Sequence, residues 1–483
     1  MSVREHPAAP PPQAPPTATG GRLRTLLTTE RARPEAVRRH PWAWRLAVGT
    51  VCFGAFMGQL DASIVTLTYQ PLRTEFHSTP AGVEWVSLAY LLTLVAFLVP
   101  VGRISDVRGR KLMYLYGFAV FTAASAACGL APGLAALVVF RVVQAVGAAM
   151  MQANSVALVT TSAPPGKMRA ALGIQAAGQA VGLALGPTVG GALVSTLGWR
   201  WVFGVNVPIG LFALVAGHYL LPRTRKCAAG SRIDGLGVLL LGGSTTAGLL
   251  ALSVASGLGP PAWTALLLAT AAVAAGWAFL RRQARCARPL VDLALLRTQR
   301  LGPGLLAGLC GYLVLFGPLV LVPVELARRG GAPLTTGLVL TALPLGFALA
   351  ATTAERLLPA GWSDRLRSRF GVLGCLAALA LLAALPPTAA LLPLPLGLLG
   401  LSLGVFVPAN NALVMRAIPT SSAGTGGGMV NLTRGLGTAV GVAAVTLAMH
   451  LVPGDAGAAT AALTMLAFAA VALLTTLGRG PGE

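Results

Sequence analysis

The chain has 483 residues, of which 55% are hydrophobic and only 10% are charged, and its mean hydropathy is +0.75. Soluble domains carry about 25% charged residues, so this composition excludes a soluble globular protein and indicates an integral membrane protein. The net charge of +22 would suggest a nucleic-acid partner in a soluble protein. In a membrane protein it indicates basic cytoplasmic loops, and we expect no nucleic acid to bind.

The chain begins with a Pro- and Arg-rich segment, residues 1–43, which lacks the apolar core of a signal peptide. We expect it to be a disordered cytoplasmic tail. The six cysteines contain no CxxC pair, and the five histidines are equally dispersed. The sequence therefore predicts neither a metal site nor a disulfide framework.

Apolar runs of about 20 residues, long enough to cross the hydrocarbon core as helices, recur along the rest of the chain. Breaks at Pro, Gly and charge clusters divide it into fourteen predicted spans, which begin near residues 46, 84, 112, 135, 168, 201, 234, 262, 303, 334, 371, 391, 424 and 456. Because an open sheet cannot satisfy its backbone in lipid, these spans predict an all-α integral membrane protein with 14 transmembrane helices.

The basic residues orient these spans. With the N-terminus inside, the tail and the even-numbered loops hold most of the 36 Lys and Arg residues. The odd-numbered loops hold only Arg73, Arg200, Arg328 and Arg329. Both termini are therefore predicted to be cytoplasmic.

The strongest charge runs follow spans six and eight. They predict a six-helix bundle over residues 44–222 and an inserted pair, spans seven and eight, with a cytoplasmic linker over 223–300. A second six-helix bundle then covers 301–478, and residues 479–483 form a cytoplasmic tail.

Asp61 lies deep in the first apolar span, where a charge costs roughly 2.5–3.5 kcal/mol and is retained only for a partner or a task. Arg141 lies within span four and, from the helical rise, at about the same depth below the outer surface. The two could form a pair that protonation of the carboxylate breaks, or a permanent ion pair that only fixes helix packing. Gln144 lies one turn from Arg141 on the same helix face.

Span five carries a repeat of glycines at intervals of four, followed by a proline. Such a strip lets another helix approach closely, and the proline kinks the helix. The residues of this helix motif are Gly178, Gly182, Gly186, Pro187, Gly190 and Gly191, and Gln175 and Gln179 extend the same face.

The turn after span two reads GRISDVRGRK. Gly102 permits close approach and Gly109 a tight turn, while Asp106 can bind Arg110 or the positive N-terminal end of a neighbouring helix. With Lys111, these residues predict a latch that holds one conformation and breaks in another.

Together these motifs resemble the major facilitator superfamily, and specifically its fourteen-helix drug/proton antiporter branch, over residues 44–478. The matching positions are the loop residues 102–111, Arg141 with Gln144 and Gly147, the span-five glycines with Pro187, Leu60-Asp61 with Pro71, and WRWVFGVNVPIG at 199–210. The resemblance implies two six-helix bundles, built from inverted three-helix repeats, that rock around a central cavity with the extra pair alongside.

The chain departs from the family pattern in two loops. Residues 152–166 lack the acid that often completes the charge relay of helix four. In the second half, AGWSDRLRSR keeps Asp364 and Arg365 but has Arg367 where the family has glycine. The role of this second loop as a latch is therefore an open question.

The resemblance implies secondary active export, in which a lipophilic drug, antibiotic or secondary metabolite leaves while a proton enters. Asp61 is the expected proton carrier and Arg141 its partner. The sequence has no nucleotide-binding loop, so we expect the proton gradient to be the energy source, with no cofactor and no enzymatic activity. Proton-coupled uptake of a small metabolite, and a non-transporting sensor or scaffold, are the alternatives.

Few carboxylates are available to bind a cation in the cavity: besides Asp61, only Glu84, Glu325 and Glu355 lie near it. We therefore expect neutral or anionic substrates. Candidate contacts are Gln144, Gln175, Gln179, Tyr69, Tyr90, Phe316, Asn410, Asn411 and Arg434. A composition typical of a GC-rich genome predicts a bacterial cytoplasmic membrane, where the partners are the lipid bilayer, a small lipophilic substrate and protons, and we expect a monomer.

Overall fold

The structure is a computed structural model of the 483-residue chain. It describes residue 30 and residues 32–164, 166–224, 234–255, 261–286, 289–290, 293, 301–330, 333–359, 361–452 and 454–477. The predictions for most of the N-terminal tail, for much of the linkers around the inserted pair and for residues 479–483 lie outside the described residues.

Fourteen of the described helices are long and apolar enough to cross a membrane, which confirms the predicted number and the all-α class. They are α1 (Ala43–Ile64), α2 (Pro80–Arg108), α3 (Arg110–Gly129), α4 (Leu134–Ser162), α5 (Met168–Thr196), α6 (Arg200–Leu220), α7 (Gly235–Ala255), α8 (Ala262–Arg285), α9 (Leu301–Arg328), α10 (Pro333–Leu357), α11 (Asp364–Ala384), α12 (Pro393–Arg416), α13 (Ala423–Leu451) and α14 (Asp455–Leu477). No strand occurs among the described residues.

The first six and last six helices pack in the same pattern. In the first half α1 packs on α5, α4 packs on α2 and α3, and α6 packs on α1 and α3. In the second half α9 packs on α13, α12 packs on α10 and α11, and α14 packs on α9 and α11. The halves meet mainly through α2 with α13 and α5 with α10, so the interface also repeats.

The inserted helices α7 and α8 pack on each other, and α7 also packs on α2 and α13. A carboxylate ties their ends together: Asp234, just before α7, binds Arg282 of α8 at 2.7 Å and accepts a hydrogen bond from Gly237 N at 3.0 Å. The Arg282 guanidinium holds the pKa of Asp234 below its usual range. The pair is therefore a clamped hairpin attached to the interface between the halves.

Successive helices run in opposite directions, so their ends form two faces of the molecule. The basic face is where α1 begins and α2 ends, and it carries Arg108, Arg110 and Arg169. The opposite face is where α1 ends and α2 begins. Both names are used in this sense below.

The glycine strip of α5 lies against α1. A Cβ on Gly182 would lie 2.5 Å from Phe56 O, one on Gly190 would lie 2.6 Å from Ile64 Cγ1, and one on Gly178 would be 3.4 Å from Cys52 Cβ. A Cβ on Gly191 would meet nothing within 4 Å. Gly182 and Gly190 therefore set the distance between α5 and α1, which carries Asp61, whereas a side chain at Gly178 would make only an ordinary contact. The side chain of Pro187 lies outside the described residues, although its backbone is helical.

Two boundaries differ from the sequence predictions, which expected span one to end near Tyr69 and span eleven to begin near residue 371. The α-helix of span one ends at Ile64, and the chain continues as a 3-10 turn, Val65–Thr68, and a short helix, Tyr69–Glu75. Span eleven begins at Asp364 rather than near residue 371, because Ser363 caps the helix by accepting a hydrogen bond from Leu366 N at 3.2 Å. The helix therefore starts within the basic loop, ahead of its apolar run.

Part of the tail is also ordered where we expected disorder. Glu30 is buried, and its carboxylate accepts hydrogen bonds from the backbone and hydroxyl of Thr224. Arg33 Nε donates to Leu220 O at 2.6 Å, and a short helix follows at Glu35–Arg39. These polar contacts hold the segment against the end of α6, which composition alone could not indicate.

Candidate functional site

A cavity of about 400 Å³ lies between the two halves, a volume in the range of small-molecule sites. It is lined by α1, α2, α4, α5, α7, α9 and α13. The wall is largely leucine and other apolar side chains. Its polar groups are Gln59, Ser63, Ser87, Tyr90, Arg141, Gln152, Asn431, Arg434 and Thr438. Among the described lining residues the only charged side chains are Arg141 and Arg434.

Asp61 lies behind this wall with no exposed surface. Its Oδ2 binds Arg141 Nη1 at 2.7 Å, and its Oδ1 accepts hydrogen bonds from Gln144 Nε2 at 3.0 Å and Asn206 Nδ2 at 3.2 Å. One carboxylate therefore joins α1 to α4 and α6. A buried charge of this kind is retained only when paired and hydrogen-bonded, and Asp61 is both.

Arg141 separates Asp61 from the cavity. Its Nε donates to Val86 O at 3.1 Å, and its Nη1 donates to Gln144 Oε1 at 2.6 Å as well as to Asp61. The guanidinium carbon lies 4.1 Å from the centre of the Tyr90 ring, a cation–π contact. The fork of the guanidinium thus connects α4 with α1 and α2.

The end of the cavity nearer the basic face is closed by contacts between α4 and α13. Arg434 Nη2 donates to Gln152 Oε1, and Asn431 Nδ2 donates to Gln152 O at 2.7 Å. Close backbone packing continues the closure, since a Cβ on Gly428 would lie 2.6 Å from Leu98 O. Through these contacts the floor of the cavity spans both halves.

The structure brings some of the predicted contact residues to the cavity and places others elsewhere. Tyr90, Phe316 and Arg434 line it. Gln144 binds Asp61 behind the wall, and Gln175 donates to Ser155 Oγ at 2.9 Å within the first half. The amides of Gln144 and Gln175 therefore bind other polar side chains and do not line the cavity.

The remaining predicted contacts also lie away from the main cavity. Gln179 lines a separate small pocket between α5 and α10. Tyr69 packs in an apolar cluster near the opposite face, and Asn410 Nδ2 donates to Gly304 O at 2.9 Å. Asn411 is not among the described lining residues. These residues therefore contact other parts of the molecule than the main cavity.

The loop between α2 and α3 binds the second half at the basic face. Asp106 Oδ1 pairs with Arg110 at 2.8 Å. The same carboxylate accepts hydrogen bonds from Gly424 N at 2.8 Å and Thr425 N at 2.9 Å, at the N-terminus of α13. Arg110 Nη2 donates to Thr420 O at 2.6 Å. The carboxylate therefore meets both partners that the sequence suggested for it.

The glycines and lysine of this loop support the same contact. A Cβ on Gly102 would lie 2.5 Å from Gly424 O, so only glycine permits the helices to meet. Gly109 has a φ of 107°, which favours glycine, and Lys111 Nζ donates at 2.8 Å to the carbonyls of His218 and Leu221. These contacts hold the loop against α6 and α13.

The loop between α10 and α11 makes an equivalent contact across the halves. Arg169, at the start of α5, binds Asp364 at 2.7 Å and Glu355 at 3.2 Å. Arg416 binds Asp364 at 3.0 Å, while Arg367 donates to backbone carbonyls including Pro359 O at 2.9 Å. The second loop therefore connects the halves through Asp364, although it has arginine where the first loop has glycine.

Sequence reasoning missed several residues of the site. Asn206 is part of the WRWVFGVNVPIG stretch, and Gln152 lies three helical turns after Arg141 on the same helix. The sequence therefore provided a reason to consider both as site residues. Ser125, which accepts a hydrogen bond from Gln144 at 2.8 Å, had none. Leu249 and Leu252 of α7 line the cavity, although the inserted pair was expected only alongside the bundles.

The chain was compared with known proteins. The family model described as Major Facilitator Superfamily matches residues 51–442. Similar proteins include the tetracenomycin C resistance and export protein of Streptomyces glaucescens, with 33% identity over 87% of this chain and 78% of that protein. The methylenomycin A resistance protein of Bacillus subtilis has 30% identity over 88% and 92%. The riboflavin transporter RibZ of Clostridioides difficile has 30% identity over 81% and 85%.

Among solved structures, a crystal structure of the human organic anion transporter MFSD10 covers 91% of this chain and 100% of its own. Its TM-score is 0.66 at 18% sequence identity. At this identity the likeness concerns the fold alone.

Proposed function

This chain belongs to the Major Facilitator Superfamily of membrane transporters, and on that premise we propose that it exports lipophilic, neutral or anionic molecules in exchange for protons. The observation that carries the proposal is the buried Asp61–Arg141 ion pair at the wall of a cavity between the halves. It is a protonatable group whose state alters contacts among three helices.

The coupling follows from the geometry of the pair. While Asp61 is ionised, its carboxylate holds the Arg141 guanidinium and the amides of Gln144 and Asn206. A proton on the carboxylate removes the ionic part of this bond and leaves the guanidinium to Tyr90, Val86 O and the cavity. Proton occupancy therefore changes how α1, α4 and α6 hold together, which is the requirement for linking it to alternating access.

The contacts at the basic face support a state closed on that side. Because most basic residues of the loops lie there, we assign this face to the cytoplasm. The Asp106 and Asp364 contacts then close the cytoplasmic side, and the cavity walls extend toward the outer side. Cytoplasmic opening would require both contacts between the halves to break.

The substrate class follows from the lining. Asp61 balances the charge of Arg141, which leaves Arg434 as the one lining charge without a carboxylate partner among the described residues, so an organic cation would meet repulsion there, while neutral or anionic molecules would not. The leucines favour lipophilic compounds. Relatives named for resistance to tetracenomycin C and methylenomycin A support antibiotics or secondary metabolites as the class.

Transport in inverted membrane vesicles tests the proposal. With the interior acidified, addition of tetracenomycin C or methylenomycin A should release protons from vesicles that contain the protein, and a pH-sensitive dye should report it. Asp61→Asn should abolish this release because the amide cannot carry the proton. Glu75→Gln, which removes an exposed carboxylate at the opposite face, should leave it unchanged.

Riboflavin is the third compound of the test panel, besides tetracenomycin C and methylenomycin A, because one relative is named as its transporter. Accumulation of riboflavin by cells in response to an inward proton gradient would contradict export and favour uptake by symport. If Asp61→Asn preserved proton release, the proton-carrier role would be wrong. Failure of every compound in the panel to move would favour a sensor or scaffold.

A further inference from the structure

Asp61 has no exposed surface, and Arg141 stands between it and the cavity. A proton from the outer side therefore needs a path to the carboxylate. Water and hydroxyl groups can provide one only if they form a continuous polar line through the apolar wall.

Such a line follows one face of α2. Three of its polar atoms are buried: Glu84 Oε2 and Tyr90 Oη have no hydrogen-bond partner among the described residues, and Ser87 Oγ has only the Tyr69 side chain beside it. The spacing of three residues places each of them about one turn after the last, within an arc of about 120° of the helix surface. Buried polar atoms without protein partners are unusual, and a bound water or a functional role is the usual explanation.

The line runs from the opposite face to the ion pair. Glu84 lies four residues into α2, about 6 Å from the start of the helix, and Tyr90 lies ten residues in, about 15 Å from it. Ser87 and Tyr90 line the cavity, and the Tyr90 ring contacts the Arg141 guanidinium at 4.1 Å. The inner end of the line is thus at the partner of Asp61.

Other elements present few charged or titratable groups to this line. Tyr69, from the short helix after α1, lies beside Ser87 and near Glu84. Tyr90 is near Asp61 of α1, Arg141 of α4 and Arg434 of α13. Apart from Asp61, Glu84 is the only carboxylate that the described residues place on this path.

We propose that Glu84, Ser87 and Tyr90 form the outer proton-access route to Asp61, with Glu84 as the group that exchanges protons with the outer solution. A proton from water binds the Glu84 carboxylate. It then passes through water and the hydroxyls of Ser87 and Tyr90, each of which accepts one proton as it gives up another, to the carboxylate of Asp61. This inference rests on the proposed role of Asp61 as the proton carrier.

The test varies the pH on each side of proteoliposomes separately. In Glu84→Gln, transport of tetracenomycin C should slow by about tenfold or more, because a positioned acid–base group is lost. The dependence of the rate on outer pH should also shift, while the dependence on inner pH should not. Glu84→Asp should restore the outer pH profile, since it retains a carboxylate.

Two further variants separate this role from a structural one. Tyr90→Phe keeps the ring against Arg141 but removes the hydroxyl, so it should slow outer proton uptake and shift the outer pH profile while the inner pH profile stays unchanged. Glu75→Gln is the matched control, because Glu75 is an exposed carboxylate of the same face that binds Arg200 and Trp199. It should keep the wild-type profile.

The outcomes distinguish the two proposals. If the wild type transports without proton coupling, the proposed function fails. If the wild type is coupled and the outer pH profiles of Glu84→Gln and Tyr90→Phe equal that of the wild type, only the access route is wrong. Melting curves of each purified variant identify any that fail to fold, in which case the remaining variant and Ser87→Ala decide.

Discussion

At the scale of single residues, the site depends on one carboxylate and one guanidinium that are both almost fully buried. Hydrogen bonds as well as charge hold these two side chains in place, because Arg141 also donates to Val86 O and Gln144. A buried pair often adds little net stability compared with apolar side chains of similar size, yet leaving either charge unpaired is costly. The pair is therefore better explained by a task than by stability.

This difference leads to a prediction for double substitution. Arg141→Met leaves the Asp61 carboxylate buried without its cation and should destabilise the protein by about 3–5 kcal/mol. Adding Asp61→Asn removes the remaining charge, so the double variant should recover most of the stability but no proton-coupled transport. Thermal unfolding of the purified variants in detergent measures the first effect and vesicle transport the second.

An additive loss in the double variant would contradict the explanation, because it would mean that the two side chains act independently. Arg434→Met provides a comparison. Arg434 lines the same cavity and hydrogen-bonds to Gln152, but the structure gives it no carboxylate partner among the described residues. Its loss should therefore not be rescued by Asp61→Asn.

At the scale of elements, the inserted pair changes the cavity. Helix α7 packs between α2 and α13 and contributes Leu249 and Leu252 to the wall. Leu249 also packs with Leu92 and Val95 of α2 in an apolar cluster. Since α7 closes a side of the cavity, the hairpin influences which molecules fit there.

A substitution at Leu252 tests this influence. Leu252→Trp places a larger side chain at the cavity wall and should reduce transport of the largest substrates by about tenfold or more while sparing small ones. Leu239→Trp is the control on the same helix, because Leu239 is 72% exposed on the outer surface of the molecule. Efflux rates across a panel graded by size measure the difference. An equal effect of both substitutions on all sizes would show that α7 does not select substrates.

At the scale of the whole molecule, the two loops at the basic face act at equivalent positions. Asp106 of the first half caps the N-terminus of α13, and Asp364 of the second half receives Arg169 from the start of α5. Each acid thus joins its own half to a helix start in the other. Under the proposed function, opening of this face would require both contacts to break.

We predict that Asp106→Asn shifts the protein toward opening at the basic face. A carboxylate at a helix N-terminus contributes about 1–2 kcal/mol in a partly buried setting, so its loss should raise the open fraction roughly tenfold. Spin labels at Arg108 and Arg356, exposed positions on α2 and α10, should report longer distances by double electron–electron resonance.

Asp234→Asn is the matched control for this shift. Asp234 is also a buried carboxylate at the basic face, but it binds within the inserted hairpin and not between the halves. Its substitution should leave the label distances unchanged. An identical distance distribution for Asp106→Asn and the wild type would mean that the loop does not hold the closed state.

The sequence by itself determined the class of the molecule, the number of its helices and the charged residues of its site. Apolar runs of membrane length and charges within them are properties of the chain alone, because the cost of placing a charge in lipid does not depend on the fold. For the same reason the sequence identified Asp61 and Arg141 as charges within membrane spans, and helical rise predicted that they lie at the same depth in the membrane.

Only the tertiary structure decided which polar residues meet. Helical rise gives depth but not which neighbour a face turns toward, so Gln175 and Asn410 were placed near the cavity although they bond within their own halves. Asn206 joins Asp61 through the packing of α6 on α1, and Leu252 reaches the cavity through the docking of α7. Such contacts join residues far apart in sequence, and packing between helices alone determines them.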